Sequence, residues 1–286
     1  MNQQKHTSAE LDWYTLDEQE FQFICHLVHD ATGIVLDERK REMLYRRLRK
    51  RIKEVGVQSF SEYCLLLKDS KGDELPNFIN SITTNLTSFF REPHHFEYLK
   101  EQLIPSLLEK SRREQDTKKL RIWSSACSTG EEAYSVAISV HQAFKHEIEG
   151  WDVKILATDL DSDVVETAKR GIYNSDRLKD LDQKLISNWF QHKDDGSKSL
   201  VKAKSMVREL ITFKQLNLLE RWPIKGPFDA IFCRNVLIYF DKATQAQLIP
   251  RYFDLLKPGG ILFLCHSESI AKGVSDFVFC GKTSFK

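Results

Sequence analysis

Apolar positions in the first third of the chain recur with helical spacing. Phe21, Ile24, Cys25 and Val28 fall on one face behind Asp17 and Glu20, a capping-box pair, and Gly33 ends the run. A second stripe of Leu44, Leu48, Ile52 and Val55 predicts a helix over 37–55, stopped by Gly56. Shorter helices are predicted near 59–68 and 74–84, and another starts at Pro93, a residue favoured in a first helical turn. From Leu120 the rhythm changes to short apolar runs alternating with helical patterns. Strands are expected near 120–123, 153–158, 211–215, 230–233 and 260–265, with helices over 131–145, 163–169 and 244–256. Such alternation implies a mostly parallel sheet with crossover helices. Lys257-Pro258-Gly259-Gly260 reads as a turn into the last of these strands, and 277–285 as an antiparallel closing hairpin. Between 180 and 209 the alternation breaks. A charged turn at Lys193-Asp194-Asp195-Gly196 and the period-two run Leu200, Lys202, Lys204, Met206, Arg208 predict a small antiparallel insert there.

Three segments follow: an all-helical part at 1–84, a linking segment and helix at 85–119, and an α/β part at 120–286 with its insert about 186–213. A chain of 286 residues has ample length for such an arrangement, and 41% hydrophobic with 29% charged residues is ordinary for a soluble protein. The net charge of +1 gives no global attraction to any partner, so a basic surface must be local. One exists: Arg39, Lys40, Arg41, Arg46, Arg47, Arg49, Lys50, Arg51 and Lys53 share the second helix with only Asp37, Glu38 and Glu42. The six cysteines are scattered with no Cys-x-x-Cys pair, as in a reduced cytosolic protein. The polar start Met-Asn-Gln-Gln-Lys and the lack of long apolar runs predict neither export nor membrane insertion. His26, His29 and His94-His95 show no carboxylate or cysteine partner at metal-ligand spacing, so no metal is expected.

The densest chemistry lies between Leu120 and Asp159. An apolar strand runs into the small-residue turn Ser124-Ser125-Ala126-Cys127-Ser128-Thr129-Gly130, a helix follows, and a second strand ends in Asp159, 29 residues after Gly130. A carboxylate at that strand end can grip a ribose. The turn is not Gly-x-Gly-x-x-Gly, which argues against a pyrophosphate cradle and for an adenosine ligand without phosphates, S-adenosylmethionine being the obvious one.

Several stretches together resemble the chemotaxis receptor glutamate methyltransferases, the CheR family. They are Asn85-Leu86-Thr87-Ser88-Phe89-Phe90-Arg91, Trp123 to Tyr134, Ala157-Thr158-Asp159-Leu160-Asp161, Phe228 to Asp241 (with Cys233-Arg234-Asn235-Val236-Leu237-Ile238-Tyr239-Phe240), Leu256-Lys257-Pro258-Gly259-Gly260, and His266-Ser267-Glu268. They occur in the family's order and cover nearly the whole chain. The resemblance implies a Rossmann-like, doubly wound methyltransferase domain. Its activity would be transfer of a methyl group from S-adenosylmethionine to glutamate side chains of chemoreceptors, giving γ-glutamyl methyl esters and S-adenosylhomocysteine.

By the same resemblance, Asp159 binds the ribose hydroxyls and Glu131 or Glu132 sits near the methionine end of the cofactor. Asn85, Thr87 and Arg91 close over it, while Asn217, Leu218, Cys233, Arg234 and Asn235 frame the adenine. Arg91 and Tyr239 orient cofactor and acceptor at the reacting centre. The basic helix, through Arg46, Arg47, Lys50 and Lys53, would dock acidic receptor helices. The insert matches the family's β-subdomain, which in some members binds a receptor C-terminal pentapeptide. The loop from Gln191 to Ser199 has one glycine, Gly196, where those members are glycine-rich, which leaves that tether open. The expected partner is the cytoplasmic domain of a receptor, met by a cytoplasmic monomer without nucleic acid. Two other readings compete: a nucleic-acid methyltransferase gripping with the basic helix, and a non-catalytic adaptor. The strand-end sequence Arg234-Asn235-Val236-Leu237, in the place of an Asn/Asp-Pro-Pro-Tyr/Phe motif, weighs against the first, and intact Asp159, Arg91 and Tyr239 against the second.

Overall fold

The helical periodicity becomes a run of short amphipathic helices: α1 (Glu18–Thr32), α2 (Arg41–Val55), α3 (Phe60–Asp69) and α4 (Leu75–Ile82). This is a computed structural model that describes residues 15–69, 73–114, 118–194 and 199–286. Asp17 and Glu20 form the reciprocal capping box at the start of α1, and Gly33 closes it in the left-handed conformation. The stripes bury as the pattern requires: Phe21, Ile24 and Val28 on α1, and Leu44, Leu48 and Ile52 on α2. The second helix differs at its start. Residues Glu38–Lys40 form a 3-10 turn with no side-chain cap, and α2 proper begins at Arg41.

By contacts, the chain divides into two compact units. One holds the residues up to Thr84 together with Tyr239–Asp241, and the other holds Asn85–Ile238 and Lys242–Lys286. Tyr239 thus belongs to the helical unit, although α/β sequence surrounds it. Ile34 bridges to Phe240, and the Val35 N–H donates to the Tyr239 carbonyl at 2.9 Å.

In the second unit, α5 (His94–Tyr98) runs through a π-turn at Leu99–Leu103 into α6 (Ile104–Glu114). Then β1 (Lys119–Ser124), α7 (Glu131–Phe144), β2 (Asp152–Asp159) and α8 (Ser162–Arg170) open the α/β part. After β3 (Ile172–Asn174) come α9 (Gln183–Trp189), β4 (Phe190–Asp194), β5 (Ser199–Ala203), α10 (Ser205–Arg208) and β6 (Ile211–Gln215). The chain closes with β7 (Phe228–Phe232), α11 (Lys242–Leu255), β8 (Leu256–Phe263), β9 (Phe279–Gly281) and β10 (Ser284–Phe285). The main sheet has the order β6-β2-β1-β7-β8-β10-β9, parallel up to β8 and antiparallel at β10 and β9. This is the doubly wound, mostly parallel architecture expected, with the closing hairpin at its edge. Helix α7 is buried along nearly its whole length, because it crosses a face whose neighbours are Phe96, Leu99, Ile122, Ile155 and Phe213.

The chain order reverses between β1 and β7. In such sheets the crevice outside the carboxyl ends of those strands is where ligands sit.

Two expectations shift. The insert is a three-stranded antiparallel sheet, β3-β5-β4, so it begins at Ile172, ahead of the expected 186, and ends at Ala203, before 213. The period-two run holds only through β5, and Met206 and Arg208 belong to α10. Residues 195–198 of the loop after Gln191, which include the expected turn residues Asp195 and Gly196, and the N-terminal Met-Asn-Gln-Gln-Lys lie outside the described residues. Lys257-Pro258-Gly259 does not precede the strand but lies within β8 as a bulge, with Leu256 opposite Phe228 and Ile261 opposite Ala230. Gly259 takes φ +80 there.

Candidate active site

The strand-end crevice is built first by backbone. The Ser125 N–H and hydroxyl both donate to the Phe232 carbonyl, and the Cys127 N–H donates to that of Thr158, so the turn after β1 is tied to β7 and β2. Ser128 has φ +49, unusual for a residue with a side chain. That conformation aims its N–H at Asp159 Oδ2, 2.7 Å away, while its hydroxyl donates to the Asn85 carbonyl. Phe90, Glu92 and Asn235 are also left-handed, so such backbone gathers around this crevice.

Asp159, at the end of β2, is buried, and among the described residues no cation pairs with it. Its Oδ1 accepts the Asp161 N–H at 3.1 Å and its Oδ2 that of Ser128. Burial pushes its carboxyl up from an ordinary 3.8 to about 6, although the N–H groups of Asp161, Ser128 and Leu160 oppose the rise. A carboxylate offers about four acceptor places, so with the N–H groups of Ser128, Asp161 and Leu160 on it capacity remains for a further donor. Two adjacent acceptors at a strand end match the vicinal hydroxyls of a ribose. Asp161 caps α8 through Oδ1, and its Oδ2 accepts from Asn85 Nδ2 at 2.7 Å, so Asn85 is held beside the same strand end.

The two glutamates at the start of α7 point to different neighbours. Glu131 is fully buried against Arg177 and the Thr129 hydroxyl. Glu132 faces the end of β1, where Ser124 donates to it at 2.7 Å and Arg234 Nη1 at 2.9 Å. Burial pulls the Glu132 carboxyl upward while Arg234 opposes. Arg234, only 4% exposed, also contacts Glu92 Oε2 at 3.2 Å and donates to the Arg91 carbonyl. One guanidinium thus joins α7, the end of β7 and the Arg91–Glu92 segment. Burial would raise Glu92, but hydrogen bonds from His266 and the charge of Arg234 hold it at about 2.

Arg91 itself is half-buried, with Nη1 donating to the Leu86 carbonyl at 3.1 Å, and Thr87 is half-buried in the same segment. Leu216 N–H donates to the Asp159 carbonyl, which sets the following Asn217 and buried Leu218 beside β2. Cys233 is buried at the end of β7, and burial pushes its thiol upward, as it does that of Cys127. Both are inert small groups there.

Tyr239 belongs to the helical unit, with Lys40 Nζ 5.6 Å from its ring centre. The same unit sorts the cations of α2. Arg47 donates to the Ile82 and Thr83 carbonyls at 2.5 Å, closing the end of α4. Arg51 makes a two-point bond to Glu74, which also accepts from buried Tyr63. Arg41 pairs with Glu18 and Glu38. Arg46, Lys50 and Lys53 remain exposed, the first two only loosely paired with Glu42 and Glu54.

Sequence reasoning missed four contributors. Glu268 is buried and accepts the N–H groups of Asn235, Val236, Leu237 and Cys265, which fixes the loop after β7. Glu92, Tyr173 and Arg177 also bind site segments. Glu268 sits inside a recognised motif and Glu92 directly follows one, a signal left unused, whereas Tyr173 and Arg177 carry none. The expectation that His94 and His95 lack a carboxylate partner is also corrected: Glu92, His94 and His95 converge, with His95 Nδ1 3.7 Å from Glu92. Glu92 is already bonded to Arg234 and His266, and burial holds His95 near 3, with Arg234 and His94 adding to the fall.

Residues 85–285 match the family described as CheR methyltransferase, SAM binding domain, and residues 19–83 match CheR methyltransferase, all-alpha domain. The chain belongs to the CheR family. The chemotaxis protein methyltransferase of Salmonella typhimurium is 40% identical over 94% of this chain and 90% of that one. That of Escherichia coli is 39% identical over 94% and 91%. Chemotaxis protein methyltransferase 2 of Pseudomonas aeruginosa is 41% identical over 88% and 86%. This CheR chain is an S-adenosylmethionine-dependent methyltransferase, and the free acceptor capacity of Asp159 fits that cofactor's ribose. Among the described residues, no helix of the CheR chain is long and apolar enough to cross a membrane.

Proposed function

We propose that the protein methylates glutamate side chains on the cytoplasmic helices of chemoreceptors, leaving γ-glutamyl methyl esters. The observation that supports this acceptor class is that the site's glutamates are each held by an arginine, while Asp159, which has no cation among the described residues, is assigned to the ribose. Glu131 pairs with Arg177, Glu132 with Arg234, and Glu92 with Arg234 and His266. These pairings suit positioning rather than proton abstraction. A glutamate acceptor is ionised above about pH 4.3 and needs no general base.

The bound cofactor supplies a methyl group on a sulfonium, open to in-line attack by a carboxylate oxygen. Rate then comes from alignment and exclusion of water. Asp159 takes the ribose hydroxyls. Glu132 is the acid at the methionine end, since it faces the strand-end crevice while Glu131 turns toward Arg177. Asn217, Leu218, Cys233 and Asn235 frame the adenine, and Asn85, Thr87 and Arg91 close the site. Arg234 acts through Glu132, Glu92 and the Arg91 backbone as a positioning residue. Arg91 and Tyr239 orient the acceptor carboxylate. The protein acts as a cytoplasmic monomer, without nucleic acid and without entering the membrane.

With tritiated S-adenosylmethionine and purified receptor cytoplasmic fragments, label is expected to enter the receptor and to leave as volatile methanol in mild base. Label that survives base would mean methylation of nitrogen or sulfur and a wrong acceptor class.

Docking falls to Arg46, Lys50 and Lys53, with Arg47 occupied at the end of α4. Reversing charge at Arg46 and Lys50 together (Arg46→Glu, Lys50→Glu) is expected to raise KM for the receptor fragment about tenfold with kcat nearly unchanged. It should also flatten the salt dependence of kcat/KM. An unaltered KM at low salt would remove α2 from the docking surface.

A further inference from the structure

The turn that leads into α7 is gripped from the side by residues of the segment that carries the small antiparallel sheet. Tyr173, on β3, donates its hydroxyl to the Thr129 carbonyl at 2.8 Å. Arg177, in the 3-10 turn Ser175–Leu178 that follows β3, donates Nε to Glu131 Oε1 at 3.1 Å and adds Nη2 to the same oxygen. The Thr129 hydroxyl donates to the other Glu131 oxygen at 2.6 Å, closing a ring of three side chains. Glu131 has no exposed surface, while Arg177 is 42% exposed, so the only cation on this buried carboxylate among the described contacts reaches in from the rim.

Packing reinforces the grip. Gly130 takes φ +98, and a Cβ there would stand 3.0 Å from the Tyr173 hydroxyl and 2.8 Å from the Ala168 Cβ, so the turn lies directly against Tyr173. Phe89, in the segment expected to close over the cofactor, is held edge-on between Tyr173 and Phe190 at 5.1 and 5.3 Å. Tyr173 and Phe190 belong to β3 and β4, whose places are fixed by pairing on β5: Tyr173 opposite Val201 and Phe190 opposite Ala203. The small sheet therefore frames both sides of the cofactor crevice, the turn and the closing segment.

We infer that Arg177 and Tyr173 are positioning residues for the methyl donor. They set the Thr129-Gly130-Glu131 turn through the Glu131 carboxylate and the Thr129 carbonyl, and so couple the small sheet to cofactor affinity. Without Arg177, Glu131 is left as a buried carboxylate with no counter-ion, and the turn must move to let in water or a proton. This rests on the cofactor placement proposed above and not on the identity of the acceptor.

The test is calorimetric binding of S-adenosylhomocysteine to the full chain, with Asp159→Ala as control. Arg177→Met is expected to raise Kd about tenfold, and Arg177→Met with Glu131→Gln to return it to within about threefold of wild type, since no charge is then left unpaired. Tyr173→Phe keeps the ring, removes only the bond to Thr129, and is expected to raise Kd about fivefold, which reads the grip even if Arg177→Met folds poorly. Wild-type Kd in Arg177→Met and Tyr173→Phe, with Asp159→Ala weakened, would overturn this inference alone. A double variant as weak as Arg177→Met would also overturn it, by showing that the charge pair is not the cause. Wild-type Kd in Asp159→Ala would instead overturn the cofactor placement itself.

Discussion

Asp159→Ala is expected to weaken binding of S-adenosylmethionine and S-adenosylhomocysteine by about 100-fold or more, because the charge-assisted hydrogen bonding of the ribose diol disappears while the turn that this carboxylate holds through Ser128 loses its anchor. The loss should fall on Kd. The variant should still fold, since the stability regained by removing a buried carboxylate with no cation among the described residues offsets the loss of the acceptor for the Ser128 and Asp161 N–H groups. The pH dependence supplies an independent sign. Burial lifts this carboxyl from 3.8 to about 6, against the pull of the Asp161 and Ser128 N–H groups, with the charge of Asp161 adding slightly to the rise. A raised folded-state value means that the carboxyl's contribution to the free protein's stability is fully present below 3.8 and is lost as pH rises through about 6. Hydroxyl donors require the ionised form. Cofactor affinity should therefore climb as pH rises from 5 through about 6, level off near 7, and release a proton on binding below that. Calorimetry in two buffers of different ionisation enthalpy reads that proton directly. Asp159→Asn should bind weakly with a flat profile over the same range. An equally steep profile in Asp159→Asn would assign the titration to another group.

Arg234→Met should cost about 3–5 kcal/mol of stability and lower methyl transfer about 100-fold or more in the protein that remains folded. The methionine roughly keeps the volume but leaves Glu132 without its cation and removes one of the two groups holding Glu92. It also frees the Arg91 carbonyl, so the segment that carries Arg91 loses its anchor to β7. Stability is read by urea unfolding, and transfer by single turnover at saturating cofactor, which separates positioning from binding. An unchanged unfolding midpoint would show that the bridge is not a structural element of the site. An unchanged single-turnover rate would show that Arg91 needs no anchor there.

The contrast between these residues marks how far the chain could be read in advance. The helices of the first 84 residues, the alternation of strands and helices from Leu120, and the strand-end Asp159 follow from periodicity and turn residues, which are local. So does the capping box of α1. The recognised motifs, spread over nearly the whole chain, pointed to the family and to S-adenosylmethionine. Three features were not legible. Met206 and Arg208 continue an alternating pattern yet form α10, because their short run has no strand partner beyond Ala203 and its backbone bonds are made within a helical turn. The basic helix counts nine cations, but which of them are occupied depends on Glu74, Glu18, and the carbonyls of Ile82 and Thr83, all distant in sequence.

Glu131 and Glu132 are adjacent, of the same type and at the same helix start, so no local rule tells them apart. A turn of about 100° per residue along α7 sends one to Arg177 and the other to Ser124 and Arg234. The sequence by itself determined the elements, the family and a strand-end acid, Asp159, as a candidate for the ligand. Only the tertiary structure decided which charges are spent on each other, because an ion pair or a buried hydrogen bond is chosen by proximity across the fold and leaves no periodic trace along the chain.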